Sequence, residues 1–349
     1  MDINTIGIDI AKRTFQIHGV DRNGKTVLKK KVSRDQVLSF MVKLPKCLIG
    51  IEACGGANYW ARELIKLGHE VRLIAPQFVK PYVKTNKNDQ ADAEAICEAV
   101  TRPNMRFVPI KSIEQQDILS IHRVRERLVR NRTALANEIR GLLLEFGFII
   151  PQGINKVIVK LTEILDEGKL SELSYQTFNK LKEEFVENDK KVKELEKRLK
   201  VIAMDSRQCQ QLITIPGIGL ITATALVASI GNAANFENGR QLSAWLGLVP
   251  RQHSSGGKER LLGISKRGDI YLRTLLIQGG RAVLNAKLRF ISEEQKSKKD
   301  YSKFTGWIFN LIERRGHNKT VVAVANKLAR VVFAVLSSSN NYLESKVCS

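Results

Sequence analysis

Four carboxylates and one serine stand at positions where their chemistry can be used. Asp9 lies inside an apolar alternating segment, between Ile8 and Ile10. An ionised carboxylate there costs desolvation energy unless a partner compensates it. Glu52 follows directly on the apolar run Leu48-Ile49-Gly50-Ile51, and the carboxyl ends of strands are where a sheet presents functional groups. Asp89 and Asp92 are three residues apart at the start of a helical pattern, so they share one helix face. Four oxygen-only donors suit Mg²⁺ or Mn²⁺. Two such ions can clamp the attacking and leaving oxygens of a phosphodiester. The plainer reading is that Asp89 caps its helix and Asp92 makes an ion pair.

The serine is Ser255, in the turn Ser254-Ser255-Gly256-Gly257. Arg251, Lys258, Arg260, Lys266, Arg267 and Arg273 surround it in sequence. A hydroxyl among cations can attack or bind a phosphate, with the cations stabilising charge on a pentacovalent phosphorus. His253 is adjacent, but no Ser-His-Asp spacing is evident. By composition alone the segment is a turn. Upstream, Ile215-Pro216-Gly217-Ile218-Gly219 precedes an apolar helix. It is similar to the hairpin of helix-hairpin-helix modules, in which the Gly217 and Gly219 backbone would approach a phosphate. A tight turn before a helix N-terminus explains it equally.

These residues need elements to hold them. Ile6, Ile8 and Ile10 alternate with Gly7 and Asp9 in a first strand. Thr14 to Val20 forms a second, Asn23-Gly24 a hairpin turn and Val27 to Val32 a third. A helix near 34–43, the strand 48–51, a helix near 57–67, the strand 71–75 and a helix from Asp89 to Thr101 complete an α/β domain with a mixed sheet. An acid on strand one and another after strand four is the layout of the RNase H-like (RuvC-like) fold. An acid after a first strand also opens sugar-kinase and actin-like phosphate loops, but those need Gly next to approach phosphate, and here Ile10-Ala11 follows.

From about 112 to 146 the chain predicts one long helix with Arg123, Arg125, Arg127, Arg130 and Arg132 on it. Its one-signed charge suggests phosphate tracking. Residues 178–202 carry a heptad seam of Phe178, Leu181, Phe185, Asn188, Val192, Leu195, Leu199 and Ile202. Such a seam needs a partner helix, expected to come from a second copy of the chain; a helical hairpin within one chain is the other solution. The division expected is 1–108 for the carboxylate domain, 109–206 for a basic-helix and coiled-coil connector, 207–336 for a mostly helical serine domain and 337–349 for a frayed tail.

The bulk numbers agree. The chain has 349 residues, 43% of them hydrophobic, which excludes global disorder. Lys plus Arg is 57 against 35 acids, a net charge of +22, which favours a polyanionic partner. Five cysteines without short paired spacing argue against a zinc ribbon or a disulfide framework and fit a reducing cytoplasm. No run of 18 apolar residues or signal-peptide pattern is present, so no membrane association is expected.

Together these segments resemble the insertion-sequence transposases that join an N-terminal RuvC-like DEDD domain to a C-terminal serine domain, the insertion-sequence one-ten family and its eleven-eleven branch. The resemblance rests on Gly7-Ile8-Asp9-Ile10-Ala11-Lys12, Ile51-Glu52-Ala53, Lys87-Asn88-Asp89-Gln90-Ala91-Asp92-Ala93, Pro216-Gly217-Ile218-Gly219 and the whole 246–273 segment. It implies that Asp9, Glu52, Asp89 and Asp92 are the metal-binding DEDD acids and that Ser255 is the nucleophile. It also implies donor and target DNA as substrates, guidance by a structured RNA from the element, and a homo-oligomer. Two other functions compete: a metal-dependent junction nuclease using the acids and water, and a non-catalytic nucleic-acid binder.

Overall fold

The computed structural model describes residues 2–84, 88–289, 302–338 and 340–343. Lys87 of the Asp89 motif, Cys348 and most of the tail lie outside them. The chain divides into two compact units, one up to Ile113 and one from Glu114 onward. The expected connector and serine domain are thus parts of one unit.

The first unit is a six-stranded mixed sheet. Strands β1 (Thr5–Ile10), β2 (Thr14–Val20) and β3 (Thr26–Ser33) form the expected antiparallel meander. β4 (Leu48–Glu52) and β5 (Glu70–Ile74) add in parallel beside β1. The two-residue β6 (Phe107–Val108) closes the far edge, giving the order β3-β2-β1-β4-β5-β6. Its shortness left no periodicity to read. The helix expected at 34–43 is a 3-10 turn, Arg34–Gln36, followed by α1 (Val37–Met41).

Alternation assigns the two faces of the sheet. Ile6, Ile8, Phe15, Ile17, Ile49 and Ile51 point to one face, where they bury against Trp60 and Leu64 of α2 (Ala57–Lys66). Gly7, Asp9, Gly50 and Glu52 belong to the other. There α3 (Pro76–Val79) and α4 (Asp89–Val100) pack, with Val79, Ala95, Ile96 and Val100 in a smaller core.

The second unit is helical. α5 (Ile113–Leu144), α6 (Ile154–Asp166) and α7 (Glu172–Asp205) build an arm. The seam of α7 is filled by its own chain: Phe178 and Phe185 are buried in one core with Leu135, Ala136, Ile139 and Leu143 of α5 and with α6. Arg125 pairs with Glu196 and Arg132 with Asp189, so α5 and α7 run antiparallel. This corrects the expectation of a second copy along the seam. The intramolecular hairpin satisfies the same apolar stripe because the partner helix lies only a loop and a short helix away. Asn188 is buried against α5, where its amide can donate to the Leu128 carbonyl at 3.3 Å and accept from the Arg132 N–H at 3.0 Å.

α8 (Arg207–Ile213), α9 (Leu220–Ile230), α10 (Gly239–Trp245), α11 (Ile270–Arg289), α12 (Lys303–Arg315) and α13 (His317–Ser338) enclose the largest core, with Leu226, Leu242, Leu276, Ile308 and Leu328 inside it. Among the described residues α13 alone is long and apolar enough to cross a membrane; half of its most apolar stretch is buried in this core. The expected frayed tail is partly ordered: the Tyr342 N–H donates to Thr214 Oγ1 at 3.0 Å. His122 of α5 is buried between Tyr271 and Thr224, 3.0 Å from each hydroxyl. Thr224 donates its own proton to the Leu220 carbonyl, which makes its oxygen the acceptor for Nε2–H and leaves Nδ1 to accept from Tyr271.

Candidate active site

Asp9 and Glu52 come to one place because β1 and β4 are parallel neighbours. Ile8 pairs with Ile51, and one residue further along each strand stands a carboxylate. Alternation turns both acids to the α4 face. The glycines two residues earlier, Gly7 and Gly50, let α4 lie directly on the strands. A methyl group on Gly7 would sit 2.2 Å from the Ala93 carbonyl oxygen, and one on Gly50 would sit 2.8 Å from Val100 Cβ. Along α4, Ala93 and Cys97 therefore cover β1, and Ile96 and Val100 cover β4. One turn earlier on the same two rows are Asp89 and Asp92. The N-terminus of α4 thus faces the carboxyl ends of both strands.

Asn88, not Asp89, caps the helix: its side-chain oxygen accepts from the Ala91 N–H at 2.8 Å. Asp92 makes no ion pair among the described residues. The capping half of the plainer reading therefore fails, since Asn88 takes that place. The cost of gathering the acids is visible at Asp9. Burial first, and then the charges of Asp89, Asp92 and Glu52, raise its pKa from 3.8 to about 6.

Among the described residues, no three His, Cys, Asp or Glu side chains are drawn close enough to cage an ion as they stand. The acids meet through their fields rather than through shared contacts. The donor set still fits a hard divalent cation, being all oxygen and concentrating negative charge in one place.

Ser255 sits at the tip of a hairpin that sequence periodicity did not show. β7 (Pro250–Gln252) and β8 (Leu261–Ile264) pair antiparallel with a register shift. The Lys258 N–H donates to the Ser255 carbonyl at 3.1 Å, and the His253 N–H to the Arg260 carbonyl at 3.0 Å. Gly256 and Gly257, at φ +55° and +75°, make the two-residue turn, with both central residues left-handed as such a hairpin needs. Directly opposed residues share a face, so Ser255, Lys258, His253 and Arg260 form one face of the hairpin. Ser254 belongs to the other, where its hydroxyl accepts from the Gln252 amide at 2.8 Å. The Ser255 side chain makes no hydrogen bond among the described residues, and the whole tip is exposed.

A knot of backbone contacts anchors the hairpin. Gly247 and Gly268 allow the segments 245–247 and 267–268 to touch; a methyl group on either would lie within 2.0 Å of the other segment's carbonyl oxygen. Arg273 is buried, and its guanidinium donates at 3.1 Å to the Leu246 and Arg267 carbonyls. This corrects its expected place among phosphate-binding cations: the charge is spent inside the fold. Lys258, Arg260, Lys266 and Arg267 remain exposed. Asp269 caps α11, accepting from the Leu272 N–H at 2.9 Å.

Two more of the expected nucleic-acid contacts are reassigned. Arg125 and Arg132 are mostly covered and serve the α5–α7 pairing, whereas Arg123, Arg127 and Arg130 are exposed, the last paired with Glu126. Gly217 and Gly219 do form a hairpin between α8 and α9. Gly217, however, is needed against α11, since a methyl group there would lie 2.7 Å from the Gly279 carbonyl oxygen, while Gly219 faces open space. A cavity of about 960 Å³ between α10 and α13 contains none of the expected site residues.

Comparison with known proteins gives the family. Residues 6–148 match the family model of the DEDD transposases of the IS110 group, and residues 209–295 match that of the IS116/IS110/IS902 family transposases. A probable family 20 transposase of Pseudomonas aeruginosa is 48% identical over 98% of this chain and 99% of its own. The transposase for insertion sequence element IS1111A of Coxiella burnetii is 46% identical over 98% of this chain and 92% of its own. That for element IS1328 of Yersinia enterocolitica is 41% identical over 96% and 97%. With matches of this length spanning both the carboxylate sheet and the serine hairpin, the chain belongs to the IS110/IS116/IS902 family of transposases and acts in transposition.

Proposed function

We propose that the protein cuts and rejoins DNA through a transient phosphoserine bond, with Ser255 as the nucleophile and the four carboxylates as the metal-holding group. The observation that carries the reading is the hairpin face on which the unengaged Ser255 hydroxyl lies beside Lys258 and Arg260. Ser255 Oγ bonds to phosphorus, the bond from phosphorus to one deoxyribose oxygen breaks, and the serine proton ends on that departing oxygen. The reverse step passes the strand to a new hydroxyl. Lys258 and Arg260 stabilise the charge that gathers on phosphorus.

Asp9, Glu52, Asp89 and Asp92 would hold Mg²⁺ or Mn²⁺, which when bound supplies a Lewis acid for the phosphate oxygens. Glu52, Asp89 and Asp92 oppose the ionisation of Asp9, and with a cation held among the four that opposition would fall away, leaving Asp9 ionised as a ligand. Guidance by a structured RNA belongs to this reading and is supported by the net charge of +22. So do assembly into a homo-oligomer, through surfaces other than the α7 seam, and action in the cytoplasm.

The deciding experiment incubates the protein with Mg²⁺ and its element's DNA and RNA and looks for a covalent protein–DNA adduct. The adduct is expected to vanish in Ser255→Ala and persist in Ser254→Ala. Cleavage without any adduct, abolished only by Asp9→Asn, would leave a water-dependent nuclease instead.

A further inference from the structure

Register places two lysines on the carboxylate face of the sheet. Asp9 of β1 pairs with Gln16 of β2, and Gln16 pairs with Lys31 of β3. One step along, Gly7 pairs with His18, and His18 with Lys29. Directly opposed residues share a face, so Lys29 and Lys31 look to the side that carries α4 and the acids. Two contacts check this independently. Lys30, between them, turns to the other face, where its ammonium lies 4.6 Å from the centre of the Phe40 ring. His18 is covered by α4, 4.0 Å from Glu94; burial lowers its pKa, Glu94 opposes this, and the Lys29 charge adds to the lowering.

β3 is the outer strand, and Lys29 and Lys31 are exposed there. Two inter-strand spacings of about 4.8 Å separate Lys31 from Asp9. That is roughly three phosphate-to-phosphate steps of about 3.4 Å along a strand axis. The line Lys31–Gln16–Asp9, continued by Glu52, therefore runs from a cationic edge to an anionic centre on one face. We propose that Lys29 and Lys31 form a phosphate-binding edge that holds one strand of DNA as it crosses the carboxylate site. The proposal rests on the reading of the acids as the DNA-cutting centre. The phosphates next to the reacting one would meet cations, while the reacting one is drawn over the acids.

The ordinary use of lysine on an edge strand is to prevent pairing with another sheet. That use tolerates charge of either sign and makes no distinction between faces, which gives the test. In the full-length chain carrying Asp9→Asn, binding of a labelled single-stranded DNA oligonucleotide is measured against NaCl concentration. Lys29→Gln/Lys31→Gln is expected to weaken binding about tenfold or more and to reduce the slope of log K against log salt by about 1.4, at roughly 0.7 for each phosphate no longer neutralised. Lys30→Gln, with half that charge change on the opposite face, is expected to alter affinity by less than about twofold. Lys29→Glu/Lys31→Glu keeps the edge charged, so it should stay monodisperse on size exclusion and bind more weakly still. Unchanged affinity and slope in both double variants, or a Lys30→Gln effect more than half that of the double variant, would overturn the proposal. Cleavage by the otherwise unaltered chain, compared with Asp9→Asn in Mg²⁺, is scored separately. If Asp9→Asn still cuts, the reading of the acids fails, whereas the salt slopes report on the lysines alone.

Discussion

Gly7 of β1 and Gly50 of β4 are partners in the parallel ladder, and both turn their bare Cα toward α4. Together they form a floor without side chains, on which the helix rests close enough for Asp89 and Asp92 to be felt at Asp9. The acids are placed by residues that have no chemistry of their own.

Gly7→Ala tests that floor. The added methyl meets backbone at 2.2 Å, with no flexible atom to give way. The helix must lift, at a cost of about 1–3 kcal/mol. The expected result is a lower melting temperature and a large loss of DNA cleavage with all four acids intact. Equal activity in the variant would show that α4 does not need its close seat.

Removing the Asp9 charge is expected to stabilise the metal-free protein. Its folded pKa of about 6 lies above the ordinary value of 3.8, so the folded state holds a proton that the unfolded state has lost. This group's contribution to stability therefore falls as pH rises from about 4 to 6, and the penalty is complete above that. With solvent screening taken into account, Asp9→Asn should gain on the order of 1 kcal/mol at pH 7.5 in EDTA, and little or nothing near pH 4. Mg²⁺ should raise the melting temperature of the unaltered chain and leave Asp9→Asn nearly unmoved. Thermal melts across pH, with and without Mg²⁺, check both.

His122 predicts the opposite slope in the second unit. Burial, then Arg125, lowers its pKa from 6.5 to about 4. The unfolded chain takes up a proton first, so stability is lost as pH falls from about 6.5 to 4. His122→Gln should flatten that acid limb while lowering stability at pH 7.5 by about 1–2 kcal/mol, through the disturbed Tyr271 and Thr224 hydrogen bonds. An acid limb unchanged in the variant would assign it to other groups.

The arginines of α5 should separate into two classes. Arg123→Gln/Arg127→Gln is expected to reduce the salt slope of nucleic-acid binding by about 1–2 with an unchanged melting temperature. Arg132→Ala removes one of the two cations paired with the half-buried Asp189, leaving Lys193. It is expected to lower stability by about 1–3 kcal/mol and leave the salt slope unchanged. Melting curves and binding isotherms on the same preparations distinguish the classes.

How much was legible in the sequence followed the range of the interaction involved. Strand alternation is a local property, and Ile6-Gly7-Ile8-Asp9-Ile10 carried β1, its two faces and the odd position of Asp9. The spacing of Asp89 and Asp92 was equally local, as was the α7 stripe. Which helix fills that stripe was not local: α5 of the same chain and a second copy offer the same apolar surface, and only the tertiary arrangement chose between them. The hairpin under Ser255 was hidden because its strands are short, shifted in register and exposed, with no apolar alternation to reveal them. Charge carried the least information about position. Arg125, Arg132 and Arg273 read as free cations, yet the first two pair with acids 71 and 57 residues away and the third closes a backbone knot. Composition determined that cations would be in excess; tertiary packing decided which of them were left for solvent and for phosphate, because desolvating a guanidinium is tolerated only where acceptors from distant segments converge on it.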